Sequence, residues 1–195
     1  MLIKNEFEVG QPVGKVWSFF DNIPQVAACL PGTELTADHG DNSYDGQVAV
    51  RMGPVKLQFA GTAKITERDE AAHRIVVDAS GAEVRGRGQA SMVVTARLTP
   101  AGHGGTRVGV DQDLQLSGAA AQYGRGMISD VTAVLMRDFS ANLMHRIDAL
   151  ERGESPDQIA TASPASGFRL GLQAAQLALM RVFRRFFLPY QPRPS

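Results

Sequence analysis

The sequence predicts an α+β fold in which an antiparallel sheet curves around one long C-terminal helix, the helix-grip arrangement. Two observations carry that prediction. A hydrophobic period of two runs from Thr33 to Leu116, and a helical period without any proline takes over from Ala119 to about Leu150. An antiparallel sheet with one apolar face needs a cover, and the long amphipathic helix that follows it supplies one.

Each element has its own signal. Ile3, Glu6, Phe7 and Val9 fit a short first strand. Pro12 stands where a helix can begin, and Val16, Trp17, Phe19 and Phe20 give it an apolar side. Pro24 opens a second short helix, which Pro31-Gly32 ends. Tyr44, Gly46, Val48, Val50 and Met52 then alternate with polar or small residues up to a turn at Gly53-Pro54. Val55, Leu57, Phe59, Gly61, Ala63 and Ile65 alternate after it, so the two runs form a hairpin of half-buried strands. The pattern recurs at residues 75–82, 89–98 and 106–116, with turns at Asp69-Glu70-Ala71 and around Gly102-His103-Gly104. In the long helix Met127, Val131, Val134, Leu135, Phe139, Leu143, Ile147 and Leu150 recur at helical spacing.

The chain of 195 residues is long enough for one well-packed domain with an appendage. The organisation expected is a domain over 1–150, a linker over 151–166 and a tail over 167–195. Few large apolar residues occur in the linker, so it buries too little surface to order itself. The start of the sequence goes straight into strand-like alternation, which points to a cytoplasmic protein. With one cysteine, Cys29, internal disulfides and multi-cysteine metal sites are excluded.

The inward strand positions mix large residues with many small ones, among them Gly46, Gly61, Ala63, Ala79, Gly81, Ala90 and Ala96. Six of the nine residues from Gly118 to Gly126 are glycine or alanine. Small residues on both layers allow either tight helix–sheet packing or a cavity between them. A cavity would be apolar, lined by Phe19, Leu30, Phe59, Met92, Met127 and Val131. Tyr44, Gln112 and Tyr123 would be its polar groups, placed to orient a carbonyl or hydroxyl.

The formal net charge of zero hides a division. Residues 1–157 hold 15 Lys and Arg against all 20 acidic residues, a net −5; residues 158–195 hold five arginines and no acid, a net +5. On a helical projection of 167–188 the arginines, Arg181, Arg184 and Arg185 among them, gather opposite Phe168, Leu172, Leu179, Phe183 and Phe186. The longest charge-free stretch, Leu170 to Met180, is far short of the ~20 residues a transmembrane helix needs. A basic face opposite a Phe/Leu face suits a helix lying on an anionic membrane surface. So apolar a tail does not suit a phosphate-tracking surface, which sets nucleic acid aside.

Other signals are weak. Gly81-Ala82-Glu83-Val84-Arg85-Gly86-Arg87-Gly88 lacks the lysine and the following helix of a phosphate loop and reads as a bend in the sheet. The four histidines lack metal-ligand spacing. Asp111 and Asp113 share a solvated strand face, and Cys29 has no base partner and suits helix packing. No catalytic or metal residue is expected.

Several motifs in register carry a resemblance: Cys29-Leu30-Pro31-Gly32, Gly53-Pro54-Val55-Lys56, Gly61-Thr62-Ala63, Gly86-Arg87-Gly88 and Phe139-Ser140-Ala141-Asn142-Leu143. Over about residues 1–150 the chain resembles the CoxG family, named for a subunit of carbon monoxide dehydrogenase, in the START-like superfamily. The resemblance implies a non-catalytic accessory of an aerobic molybdenum hydroxylase, usually carbon monoxide dehydrogenase, recruited to the inner face of the cell membrane. It also implies a respiratory quinone, menaquinone or ubiquinone, held in the hydrophobic cavity, with no covalent cofactor. Two other readings stay open: a recruitment adaptor with a filled interior, and an enzyme of the cyclase/dehydratase type.

Overall fold

The computed structural model describes residues 1–155. Strand β1 (Leu2–Val9) leads into two short helices, α1 (Val13–Phe19) and α2 (Ile23–Cys29). Six strands follow: β2 (Thr33–Asp38), β3 (Ser43–Met52), β4 (Val55–Asp69), β5 (Arg74–Glu83), β6 (Gln89–Pro100) and β7 (Thr106–Leu116). The long helix α3 (Arg125–Glu151) closes the domain. All seven strands form one antiparallel sheet in the order β1-β7-β6-β5-β4-β3-β2. Only β1 leaves sequence neighbours, crossing to pair with β7.

The helix ends are where the local chemistry puts them. Pro12 has the extended backbone of an N-cap residue, and Pro24 sits in the first turn of α2, where its missing N–H costs nothing. The Asn22 side chain caps α2 by accepting from the Gln25 N–H at 3.2 Å. At its other end α3 stops at Gly153, whose φ of +80° suits glycine. There the Gly153 N–H bonds the Leu150 carbonyl and the Glu154 N–H bonds that of Ala149, a Schellman closure.

Two apolar clusters join helix to sheet. The larger gathers Val9, Val16, Trp17, Phe19, Phe20, Cys29, Ile75, Leu98, Val108, Val110, Phe139, Leu143 and Ile147 under α1, α2 and the C-terminal half of α3. Phe7 meets Phe139 edge-on, with ring centroids 5.9 Å apart. Around the start of α3, Ile3, Met52, Leu57, Ala120 and Ile128 form the smaller cluster. Helix α2 is pinned to α3 by polar ties: Asn142 Nδ2 donates to the Cys29 carbonyl at 2.9 Å, and the buried Arg146 donates to Gln25 Oε1 at 2.6 Å.

Two expectations need correction. Residues 118–122 form a separate 3-10 turn, and α3 begins only at Arg125. Gly118, at φ +67°, crosses Gly88 so closely that a Cβ on it would meet the Arg87 carbonyl oxygen at 2.5 Å. That backbone crossing, and the Ala119 N–H bonded to Arg87 O at 2.6 Å, outweigh the helix preference of the three alanines. The helix phase also differs. Its buried face runs through Ile128, Thr132, Phe139, Leu143 and Ile147, and Met127 points away, 44% exposed. Ile128 lies about three full turns before Phe139 and shares its face, whereas Met127 is about 100° off.

Candidate ligand-binding groove

Strand register lines up the inward side chains in rows across the sheet. One row is Tyr44, Ala63, Ala79, Met92 and Leu114; the next is Ile65, Val77, Val94, Gln112 and Ile3. Asn5 stands in the row beyond, paired with Val110, and is therefore a diagonal neighbour of Gln112. In the middle of these rows the packing is incomplete. Tyr44, Ala63, Ala79 and Met92 belong to neither apolar cluster, nor does Leu135 on α3, and all five are only half-buried. On α3, Leu135 lies between Ile128 of one cluster and Phe139 of the other. Among the helix residues between those two, Thr132 is buried, and its hydroxyl donates to the Ile128 carbonyl at 2.7 Å.

The groove's polar groups are amides and hydroxyls. Gln112 is only 5% exposed, and among the described residues its side chain makes no hydrogen bond. Asn5 Nδ2 is buried without a partner. Burial, with a smaller contribution from the Asp38 charge, raises the Tyr44 phenol above its ordinary pKa, so it is a neutral donor at neutral pH.

The residues expected to line a cavity divide into three sets. Tyr44, Met92 and Gln112 stand on the open middle rows. Phe59, Tyr123 and Val131 pack against the smaller cluster, while Phe19 and Leu30 belong to or pack against the larger one, roofing it from α1 and the end of α2. Met127, expected to line the cavity, faces outward from α3 and is 44% exposed. Asn5 and Thr132 were not anticipated, although Asn5 occupies the inward phase of β1 between Ile3 and Phe7, which is a legible signal. The tail residues Phe168, Leu172, Leu179, Arg181, Phe183, Arg184, Arg185 and Phe186 lie outside the described residues.

The small residues of the sheet have a second cause besides space. Gly46, Gly61 and Gly81 sit side by side across β3, β4 and β5. A Cβ on Gly61 would lie 2.0 Å from the Ser80 carbonyl oxygen, and one on Gly46 or Gly81 would meet a neighbouring carbonyl oxygen at 2.8 Å. This row lets the backbones of β3, β4 and β5 approach closely.

A separate cleft of about 350 Å³ opens at the strand ends, between the β3–β4 turn and the β5–β6 loop, lined by Pro54, Val55, Lys56, Gln58, Glu83, Val84, Arg85 and Arg87. None of the expected ligand residues lines it. Cys29 is fully buried, donates to the Gln25 carbonyl at 3.2 Å, and has its thiol pushed up to about 12 by burial, so it is inert packing. Asp111 and Asp113 face outward, Asp111 paired with Lys4 and Arg97 and Asp113 with the chain's amino group. Among the described residues no cluster of three or more His, Cys, Asp or Glu could hold a metal ion.

The family model for CoxG, a subunit of carbon monoxide dehydrogenase, matches residues 6–148, which takes in β1 through nearly all of α3. The chain belongs to this family. The family motifs now have structural roles. Gly88 of Gly86-Arg87-Gly88 makes the backbone crossing with Gly118, and Asn142 of Phe139-Ser140-Ala141-Asn142-Leu143 ties α3 to α2. Among curated proteins none matches. Among solved structures the chain is similar to a conserved protein from Geobacillus kaustophilus (TM-score 0.67, 20% identity, 76% of this chain and 95% of that one). It is also similar to the Zhui aromatase/cyclase from Streptomyces sp. R1128 (TM-score 0.57, 13% identity, 80% and 99%). A START superfamily protein from Mycobacterium smegmatis matches too (TM-score 0.51, 15% identity, 76% and 98%). At these identities the likeness shows the fold, which is the expected helix-grip, START-like one.

Proposed function

We propose that this domain is a non-catalytic carrier and accessory, holding a hydrophobic guest between sheet and α3 while it serves an aerobic molybdenum hydroxylase such as carbon monoxide dehydrogenase. The observation that carries this reading is the incomplete packing of the middle rows between two closed apolar clusters. A packed interior would have no reason to leave Met92, Leu135 and Tyr44 half-buried on inward positions. The polar groups facing the gap are amides and a neutral phenol, which orient a guest's oxygen rather than move protons. An apolar ring with one or two oxygens suits such a lining, and a respiratory quinone, menaquinone or ubiquinone, has that chemistry. Membership of the CoxG family supports the choice of client enzyme. The basic, Phe-rich tail supports a peripheral position on the anionic inner face of the cell membrane.

The test is extraction. Protein purified without detergent from a quinone-producing host should yield a prenylated quinone by organic extraction and mass spectrometry, in a substantial molar fraction. Extracts holding no lipid or quinone, from protein that still binds its enzyme partner, would leave a recruitment adaptor in place of a carrier.

A further inference from the structure

We infer that Asn5 and Gln112 together form the polar anchor of the groove, a two-amide site for the ring oxygen of an otherwise apolar guest. The inference rests on the carrier reading and names the part of the interior that reads the guest's chemistry.

Burying an amide without a partner is costly, so most buried polar groups in folded proteins are hydrogen-bonded. Here two neighbouring side chains lack such partners. Gln112 is only 5% exposed as a residue and its side chain makes no hydrogen bond among the described residues, while its amide atoms keep some accessible surface. Asn5 Nδ2 is buried and unpartnered one diagonal step away. Both stand in inward phase, on β1 and β7, at the level where the two apolar clusters fail to meet. Apolar residues flank them: Ile3 and Phe7 along β1, Val110 and Leu114 along β7. A core optimised for stability alone would carry leucine or valine at these positions. Retaining two unsatisfied amides makes sense if a ligand supplies the missing partner.

The chemistry of the anchor is also specific. Each amide carries two N–H donors and a carbonyl acceptor, so it can donate to a ring carbonyl or accept from a ring hydroxyl. The site is therefore indifferent to whether such a ring is oxidised or reduced, as a carrier moving between an electron donor and a membrane requires. A pure hydrocarbon would leave both amides unpaired and be rejected.

The experiment compares two rings on one chain, a decyl-substituted 1,4-benzoquinone and decylbenzene, binding to delipidated full-length protein by calorimetry or equilibrium dialysis. The wild type should prefer the quinone by about tenfold or more, the worth of one or two neutral hydrogen bonds. Asn5→Leu and Gln112→Leu should each remove about three- to tenfold of that preference, and the double variant should bind both rings alike. Because the substitutions delete unsatisfied polar groups, the thermal midpoints of the ligand-free variants should equal or exceed that of the wild type. A preference that survives in the double variant overturns the inference, and so does its loss together with lowered midpoints, which would mark the amides as structural. Equal binding of both rings by the wild type overturns the anchor alone and leaves carriage standing. Binding of neither ring overturns the carrier reading itself.

Discussion

Glu83 shows how one buried charge can hold a loop in shape. The residue is 3% exposed, and its carboxylate accepts from the Arg85 and Arg87 N–H groups and from the Arg87 guanidinium at 2.8 Å. Arg87 in turn donates to the Lys56 carbonyl at 3.1 Å, joining the β5–β6 loop to the start of β4. The Arg87 hydrogen bond is the main cause that lowers the Glu83 pKa from 4.5 to about 2. A carboxyl with a depressed folded-state pKa contributes stability above its unfolded value and loses it as pH falls through the folded one. Glu83→Gln should therefore lower the thermal midpoint at pH 7, and the gap to wild type should close between about pH 4.5 and about pH 2. Thermal melts across that window check it, and a gap independent of pH would mean that the charge is not what matters. Binding in the groove should be unaffected, because Glu83 lies at the strand ends with its carboxylate turned into the loop.

Among the elements, β3, β4 and β5 place Gly46, Gly61 and Gly81 side by side, where a Cβ on any of them would meet a neighbouring carbonyl oxygen. A Cβ at Gly61 would sit 2.0 Å from one carbonyl oxygen and 2.5 Å from the Gly81 Cα, both backbone atoms that cannot rotate aside. Gly61→Ala should cost about 1–3 kcal/mol, as overpacking usually does, and Gly14→Ala, where a Cβ meets nothing within 4 Å, serves as the control. Denaturant unfolding of the two variants checks the contrast, and equal stabilities would contradict the assigned crowding. The glycines also mark the limit of what was legible in the sequence. Strand order, hairpin turns and the long helix follow from periodicity, because the core is one face of a sheet and one stripe of a helix. Whether a glycine on the inward phase makes room for a ligand or for another backbone depends on the neighbouring strand, which periodicity does not name. The same holds for Ala119–Ala121, whose helix preference yields to the crossing at Gly88 and Gly118. The inward phase of Tyr44, Met92 and Gln112 was legible from alternation. So was that of Asn5, between Ile3 and Phe7, but its place beside Gln112 was not, because that depends on the pairing of β1 with β7.

At the scale of the whole molecule the charge division sets how the chain would meet a membrane on the proposed peripheral reading. Residues 1–157 sum to −5, so an anionic bilayer repels the body, while residues 158–195 sum to +5 with large apolar residues interleaved. Among the described residues no helix is long and apolar enough to cross a membrane. On the proposed peripheral reading the attraction comes from the tail. Arg169, Arg181, Arg184 and Arg185 would each contribute about 1 kcal/mol near anionic headgroups. Every inserted Phe or Leu would add roughly 1.5–3 kcal/mol before ordering costs. The full chain should therefore co-sediment with vesicles containing anionic lipid, and a chain ending at residue 155 should stay in the supernatant. The two contributions can be separated with salt. Raising ionic strength from 0.1 to 1 M shortens the screening length from about 10 to about 3 Å, which should weaken the arginine contribution and leave the apolar one. Partial retention at high salt is thus expected on anionic vesicles, with weaker binding to neutral ones at any salt. Equal sedimentation of the truncated and full chains would move membrane attachment from the tail to the domain.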